Sequence, residues 1–405
     1  MKMNNILKNS IRIIAIMMII ICLIFIGLDG AFLPKQYDSS KDEYDSTEHF
    51  MTLTQFKLIK AGLSAGSSHN MQPWLVDIED EVTFSLYIDA NKVLNVVDKN
   101  FKQLLMSQGT FVGKVILEAK NADIDIQIIY EDIDEIVSEL NKITKDSSKL
   151  KVATFKLISD PLLDPDVVSS GTYQDSEVQV ANIEEIIEEV MRDTFEVSGV
   201  DGNNIIVQGF SNEYIHNDNS VDLVAQFQAF LREATAIEAG NEAALEEMIH
   251  VFRFSRWDKN KYRYGLSLNT MSPYLQIFVE PIMDLTSNSK TFYKTFGDSS
   301  ISAFEDRLSD EESYILIKKE NPSPMDYIIT GELMSELSDE LDGYTIRPAV
   351  QLLEEIDGME RISHSFQSEY GHGDEVLLIL GVTKRSESSY ESIRHKVQDI
   401  IMIRG

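Results

Sequence analysis

The hydrophobic period of this chain changes abruptly after its first globular helix, and that change sets the class of fold open to it. Phe56, Ile59 and Leu63 recur on one helical face, with Thr52 or Thr54 placed to cap the start. The helix runs into the turn-forming tract Ser64-Ala65-Gly66-Ser67-Ser68. Leu75 to Ile78 and Val82 to Ile88 then alternate or cluster as two strands with acidic residues between them, the pattern of a hairpin. A helix over Asn100 to Ala119 and short strands at Ile124 to Tyr130 and Val152 to Ile158 follow. Past the loop-like stretch Asp160 to Gln174, helices are predicted at 182–193, 220–236, 241–252 and Asp326 to Leu341. A last core strand, Glu375 to Gly381, and a terminal helix from about Tyr390 to Met402 close the chain. Two successive units of mixed helix and strand indicate an α+β fold.

The 405 residues suffice for two domains, or for one large body built from two similar halves. The halves are assigned to 51–165 and 166–405. Acidic residues outnumber basic ones 67 to 36, a net charge of −31. Such a surface repels phosphate backbones, so nucleic-acid binding is disfavoured. The first 34 residues differ in kind. Lys2, Lys8 and Arg12 precede the uncharged run Ile13 to Leu28, and Asp29 follows. The run is short for a span of about 17 to 25 residues unless Ile11 and Ala31 to Leu33 extend it. It is expected to be an uncleaved transmembrane helix through residues 11–33, with a cleaved signal peptide as the competing interpretation. Positive charge N-terminal to the run predicts a single-pass protein of the cell membrane with its globular part extracytoplasmic. The acidic stretch 35–50 is expected to be a solvated linker. The single cysteine, Cys22, lies in the apolar run, so the globular part has no disulfide.

The most informative chemistry lies in Ser67-Ser68-His69-Asn70-Met71-Gln72-Pro73-Trp74. This segment leaves a helix and enters a strand, which frees its hydroxyls, amides and backbone groups to face a ligand. Neutral donors and acceptors of this kind suit the pyrimidine edge of a flavin. A capping turn followed by a core tryptophan is the plainer account of the same residues. The seven histidines show no HExxH or paired ligand spacing, so no metal site is expected. No GxSxG, P-loop or GxGxxG occurs, and no catalytic side chain is assigned. The aromatic run Phe252 to Tyr264 is expected to be core with interleaved surface arginines.

Ala61 to Val76, with its S-x-x-N-x-Q-P-W pattern, resembles the nitroreductase-family signature. The Ser-His-Asn-x-Gln-Pro-Trp version is similar to the Acg-type branch, in which two nitroreductase-like halves on one chain mimic a homodimer. Ser107-Gln108-Gly109, the stretch Asp89 to Asp98, Gly331 to Glu354, and Glu375 to Arg394 resemble further family segments in the same order. The resemblance implies a pseudo-dimer around a mainly antiparallel sheet, with FMN at the junction of the halves. By carry-over, Ser67, Ser68, His69 and Asn70 lie along the flavin and Gln72 supports the turn. Arg394, with Lys396, reaches the phosphate. One departure stands out: Ser169 to Gln174 lacks the arginines the branch carries there. Two functions follow from the resemblance. One is an FMN-dependent oxidoreductase passing electrons to a nitroaromatic, quinone or similar acceptor. The other is a non-catalytic flavin-holding or interaction protein with a degenerate pocket.

Overall fold

The computed structural model describes residues 2–45, 51–142, 149–159, 198–200, 205–211, 223–268, 273–311, 313–341, 343–384 and 392–402. A long helix α1 (Lys2–Asp29) comes first, and the first globular helix, α2 (Leu53–Leu63), opens on a capping box. Gln55 N–H donates to Thr52 Oγ1 at 3.2 Å and the Gln55 side chain accepts from Thr52 N–H at 3.0 Å. The predicted hairpin forms as β1 (Trp74–Ile78) and β2 (Thr83–Asp89), in register from Trp74 opposite Ile88 to Ile78 opposite Phe84. After α3 (Lys102–Asn121), β3 (Asp125–Tyr130) and β4 (Lys149–Ser159) complete an antiparallel sheet in the order β1-β2-β4-β3. Trp74, Phe84, Phe111 and Phe155 are fully buried against it, and Phe84 stacks on Phe155 at 4.7 Å.

A second antiparallel sheet takes β5 (Ser198–Val200), β6 (Ile205–Ser211), β7 (Ser313–Lys319), β8 (Tyr344–Pro348) and β9 (Glu375–Lys384), in the order β5-β6-β7-β9-β8. Among the described residues the fold is therefore α+β with two separate sheets, which corrects the expectation of a single, mainly antiparallel one. The remaining helices are α4 (Ile133–Leu140), on the first sheet's side, α5 (Leu223–Gly240), α6 (Glu242–Val251), α7 (Arg256–Tyr262), α8 (Pro273–Thr286), which packs on α1, α9 (Lys290–Asp310), α10 (Pro324–Glu340) and α11 (Glu360–Phe366). Of the terminal helix, among the described residues 392–402 only the turn Val397–Ile400 is helical. Ile401 instead bridges to Val76 beside β1. The helix predicted at 182–193 lies outside the described residues.

The two sheets are joined through α3 and α10, which cross at backbone contact. A Cβ on Gly109 would stand 1.8 Å from the carbonyl oxygen of Ile328, and one on Gly331 would stand 2.1 Å from that of Met106. Each helix thus places its glycine against the other's main chain. The Ser335 hydroxyl donates to Thr110 O at 2.9 Å across the same seam.

The N-terminal expectation is overturned. Among the described residues no helix is long and apolar enough to cross a membrane, so neither a single-pass anchor nor the extracytoplasmic placement that rested on it is supported. The physical reason lies at the C-terminal end of α1. Gly30, at φ +76°, ends the helix, and the residues needed to lengthen a span turn away to the globular body. The Arg256 guanidinium donates to Ala31 O at 2.5 Å and Leu33 O at 3.0 Å, and the Trp257 indole to Gly27 O at 3.2 Å. Nor is the following stretch a free linker where it is described. Tyr37 and Asp42 are buried, and Asp42 Oδ2 accepts from Val397 N–H at 2.8 Å.

The crossing yields a stability prediction. Gly109→Ala is expected to destabilise the protein by more than about 3 kcal/mol, because backbone cannot yield as a side-chain end can. Gly240→Ala, where nothing lies within 4 Å, should be neutral or stabilising by roughly 0.5–1 kcal/mol. Urea unfolding of both variants checks the pair.

Candidate functional site

The turn between α2 and β1 is held in a conformation its residues do not prefer. His69, Asn70 and Gln72 have φ values of 47°, 53° and 48°. Left-handed backbone at non-glycine positions costs of order 1–3 kcal/mol each and persists only where the surroundings enforce it. The enforcement is visible. Asn70 Nδ2 donates to Gly265 O at 2.9 Å and Ile393 O at 2.8 Å, while Asn70 O accepts from Gly265 N–H at 2.8 Å. Gln72 Nε2 donates to Arg263 O and Ile393 O, both at 3.1 Å, and Gln72 Oε1 accepts from His395 N–H at 3.0 Å. Ser67 Oγ accepts from Gln72 N–H at 2.9 Å. Five of the seven predicted site residues lie on this turn; Asn70 and Gln72 sew it to residues 263–265 and 393–395, and Ser67 closes it from within.

Ser68 and His69 are tied from the side of α3. Ser68 N–H donates to Ser107 Oγ at 3.2 Å, and its hydroxyl donates to Gln103 Oε1 at 2.6 Å and lies 3.2 Å from His69 Nδ1. Trp74 Nε1–H donates to Ser107 O at 2.8 Å, fixing β1 to the same helix turn. His69 retains some exposed surface, but enclosure of its ring pushes the imidazole down to about 4. The ring is therefore neutral at pH 7 and offers one donor and one acceptor.

Arg394 reaches the turn from the other end of the chain. One guanidinium nitrogen donates to Ala65 O at 2.5 Å, and the backbone N–H donates to Tyr37 O at 3.0 Å. Among the described residues no carboxylate lies within ion-pair distance of it. Desolvation pulls this guanidinium down to about 10, so it remains charged in an enclosed setting. The Lys396 backbone N–H donates to Asp399 Oδ2 at 2.8 Å, and among the described residues its side chain makes no hydrogen bond to residues 64–72. The segment 169–174 lies outside the described residues, as does Arg385.

Beside this turn stands a buried group that sequence inspection missed. Lys92 Nζ donates to Gln72 O at 2.9 Å and to His395 Nε2 at 2.8 Å, and lies 4.7 Å over the Tyr264 ring. With Nε2 as acceptor, the imidazole carries its proton on Nδ1, toward Asp399 Oδ2 at 3.8 Å. Burial pulls Lys92 down to about 8. Asp399, despite some burial, is held at about 2 by His395, the Lys396 amide and Arg263. Local sequence gave one signal only, Lys92 three residues after Asp89. Arg253, expected on the surface, is buried, with its guanidinium 4.2 Å over Tyr262 and 4.8 Å over Tyr264.

Among the described residues no group of histidine, cysteine and acidic side chains is arranged to hold a metal ion. The geometry offers instead an enclosed, unpaired cation next to a strained turn that presents neutral donors and acceptors, an arrangement suited to an anionic, aromatic or amide-bearing ligand. No protein-family model matches the chain, and no curated protein matches it.

Two predictions follow from this geometry. Gln72→Ala strands buried carbonyls and an N–H and should cost about 3 kcal/mol in urea unfolding. A proton NMR titration should find His69 still neutral at pH 5.5, whereas a ring titrating near 6.5 would show that water reaches it freely.

Proposed function

We propose that the chain is an FMN-binding oxidoreductase of nitroreductase type, in which Arg394 receives the flavin phosphate and Ser68 and His69 line the flavin. The observation that carries this is Arg394 itself. In a chain of net charge −31, its guanidinium is enclosed beside one carbonyl and has no carboxylate partner among the described residues. A desolvated cation without a counter-charge is unfavourable, and a phosphate bearing close to two negative charges relieves it through a planar donor fork. The neutral His69 ring and the Ser68 hydroxyl supply the uncharged contacts that a pyrimidine edge requires. The strained turn supports the same assignment, since such backbone clusters where a ligand must be met by pre-set groups.

When bound, FMN supplies hydride uptake and onward electron transfer to a nitroaromatic, quinone or similar acceptor, and no side-chain nucleophile is required. The chain's own contribution is narrower than the resemblance implies. Asn70 and Gln72 spend their side-chain amides on carbonyls that hold the turn, which leaves Ser68, His69 and Arg394 to meet the ligand. The same observation favours a second reading, a flavin holder that does not turn over, because two amides of the signature are already engaged by backbone.

Visible absorbance of the purified full chain, titrated with FMN, tests the proposal. Binding is expected, and Arg394→Ala should weaken it by roughly 10- to 100-fold, the equivalent of about 1.5–3 kcal/mol for a lost charge-assisted contact. Reduction of the bound flavin by NADH or NADPH selects the enzyme, and its absence selects the holder. A folded chain that ignores FMN ends both.

A further inference from the structure

Behind the candidate site, a second cluster of buried groups lacks the neutralisation its charge demands. Asp98 caps α3, accepting from Gln103 N–H at 3.0 Å and Leu104 N–H at 2.8 Å. Glu247 of α6 accepts from Val96 N–H at 3.0 Å and Val97 N–H at 3.1 Å. Glu355 accepts from Asn100 N–H at 2.7 Å, and its own N–H donates to Val97 O at 3.2 Å. Carboxylates from three places thus grip the single stretch Val96–Leu104. Against them lie Glu238 of α5 and Glu354, which follows the short turn Gln351–Leu353 packed on α5. Asp98, Glu238 and Glu354 are only 4%, 6% and 4% exposed, and Glu354 Oε2 has no hydrogen-bond partner.

Cations do not neutralise this group. Lys102, at the edge, is 4.0 Å from Glu355 and 2.7 Å from Glu375, and Lys99 faces Asp357 at 3.8 Å. Among the described residues Asp98, Glu238, Glu247 and Glu354 form no ion pair, and no set of side chains has the arrangement of a metal site. Carboxylates crowded in low dielectric cannot all ionise, so protons are the remaining neutraliser. Burial accordingly raises Asp98 and Glu238 to about 7. Burial, followed by the charges of Glu238, Glu247 and Asp98, raises Glu354 well above the carboxylate range.

We propose that Glu238 and Glu354 are a proton-held clamp on the segment Val96–Leu104, and that their ionisation loosens the first turn of α3. The consequence reaches the candidate site through covalent neighbours. Gln103, whose N–H is held by Asp98, receives the Ser68 hydroxyl, and Ser107 one turn on receives the Ser68 N–H. Glu354 and Asp98, whose own carboxyl is raised to about 7, cannot both ionise in the closed cluster, and the repulsion that appears as they lose their protons is the force that opens it. This inference does not depend on FMN.

The sign follows from where the protons sit. The closed clamp keeps protons that an open, hydrated segment surrenders at an ordinary glutamate pKa, so closure is fully favoured below about 4.5 and loses that advantage as pH rises through about 7. Each proton released on opening raises the opening constant about tenfold per pH unit across that window.

Amide hydrogen exchange of the full chain at pH 5, 6, 7 and 8, corrected for intrinsic exchange, reads this directly. Protection of Gln103 and Leu104 should fall at least about 100-fold between pH 5 and 7, for one proton, while Ile317 and Leu378 in the second sheet hold theirs. Glu354→Gln should flatten that slope by about tenfold per pH unit, and Glu238→Gln with Glu354→Gln should flatten it further. A flat wild-type profile overturns the proposal, as does an equal fall at Ile317 and Leu378. A double variant with the full wild-type slope overturns it too. Should the variants not fold, the wild-type comparison of the two sets of amides decides.

Discussion

Everything described above hangs on the approach of α3 to α10. Glycines at 109 and 331 let two main chains meet where any side chain would collide with a carbonyl. The distance this permits fixes how the two sheets face one another. It also sets the position of α3, whose first two turns carry Gln103 and Ser107, the groups that hold Ser68. Trp74 and Phe111, with ring centroids 5.3 Å apart, transmit the position of α3 to β1, so the strained turn between α2 and β1 has its far wall placed by a crossing several residues away. The Ser335 hydroxyl bond pins the same seam from α10, and the contact of the Tyr130 hydroxyl with Glu332 ties α10 to β3 of the first sheet.

The parts of this architecture legible in the sequence are those written in neighbouring residues. Phe56, Ile59 and Leu63, with Thr52 or Thr54 before them, announce α2, and Leu75 to Ile78 with Val82 to Ile88 announce a hairpin by their pattern and acidic turn. β7 is different. Tyr314 to Lys318 are all buried, both faces covered, so no period of two survives to mark a strand. The N-terminal run misled because hydropathy does not register Gly30, which ends the helix, or Arg256, which captures the chain just beyond it. At the site, residue type singled out Ser67–Gln72, the resemblance added Arg394, and the Arg394 guanidinium bonds Ala65 O at the start of that turn. What the residue types could not disclose is that Asn70 and Gln72 are claimed by carbonyls 191 to 323 positions away. Lys92 and His395, 303 positions apart, were invisible for the same reason.

Electrostatically the interior is arranged by separation. Lys92, His395, Arg263 and Asp399 form a network in which each charge has a partner, and its groups settle into definite protonation states. On one side of it lies Arg394, a cation without a carboxylate. On the other side of α3's first turn lie carboxyls without a cation. In a chain so rich in acid, keeping an arginine unpaired while acids crowd together elsewhere requires a rigid scaffold between them, because free side chains would neutralise each other. The turn at 67–72 and the capped start of α3 are that scaffold.

The seam between α3 and α10 has a further consequence, for the chain as it is made. Thr110 and Ser335, which meet across it, are 225 positions apart. At synthesis rates of roughly 5–20 residues per second, α3 leaves the ribosome on the order of 10–40 s before its partner exists. A helix waiting that long with a leucine-rich face would invite misassociation. At the crossing itself α3 instead presents Gly109, Thr110 and Gly113 with the Met106 carbonyl, a narrow groove of small and polar groups with little for a stray hydrophobe to grip. The close contact that organises the finished protein is, before it forms, a surface of low adhesiveness, and the nascent first half can wait for the second.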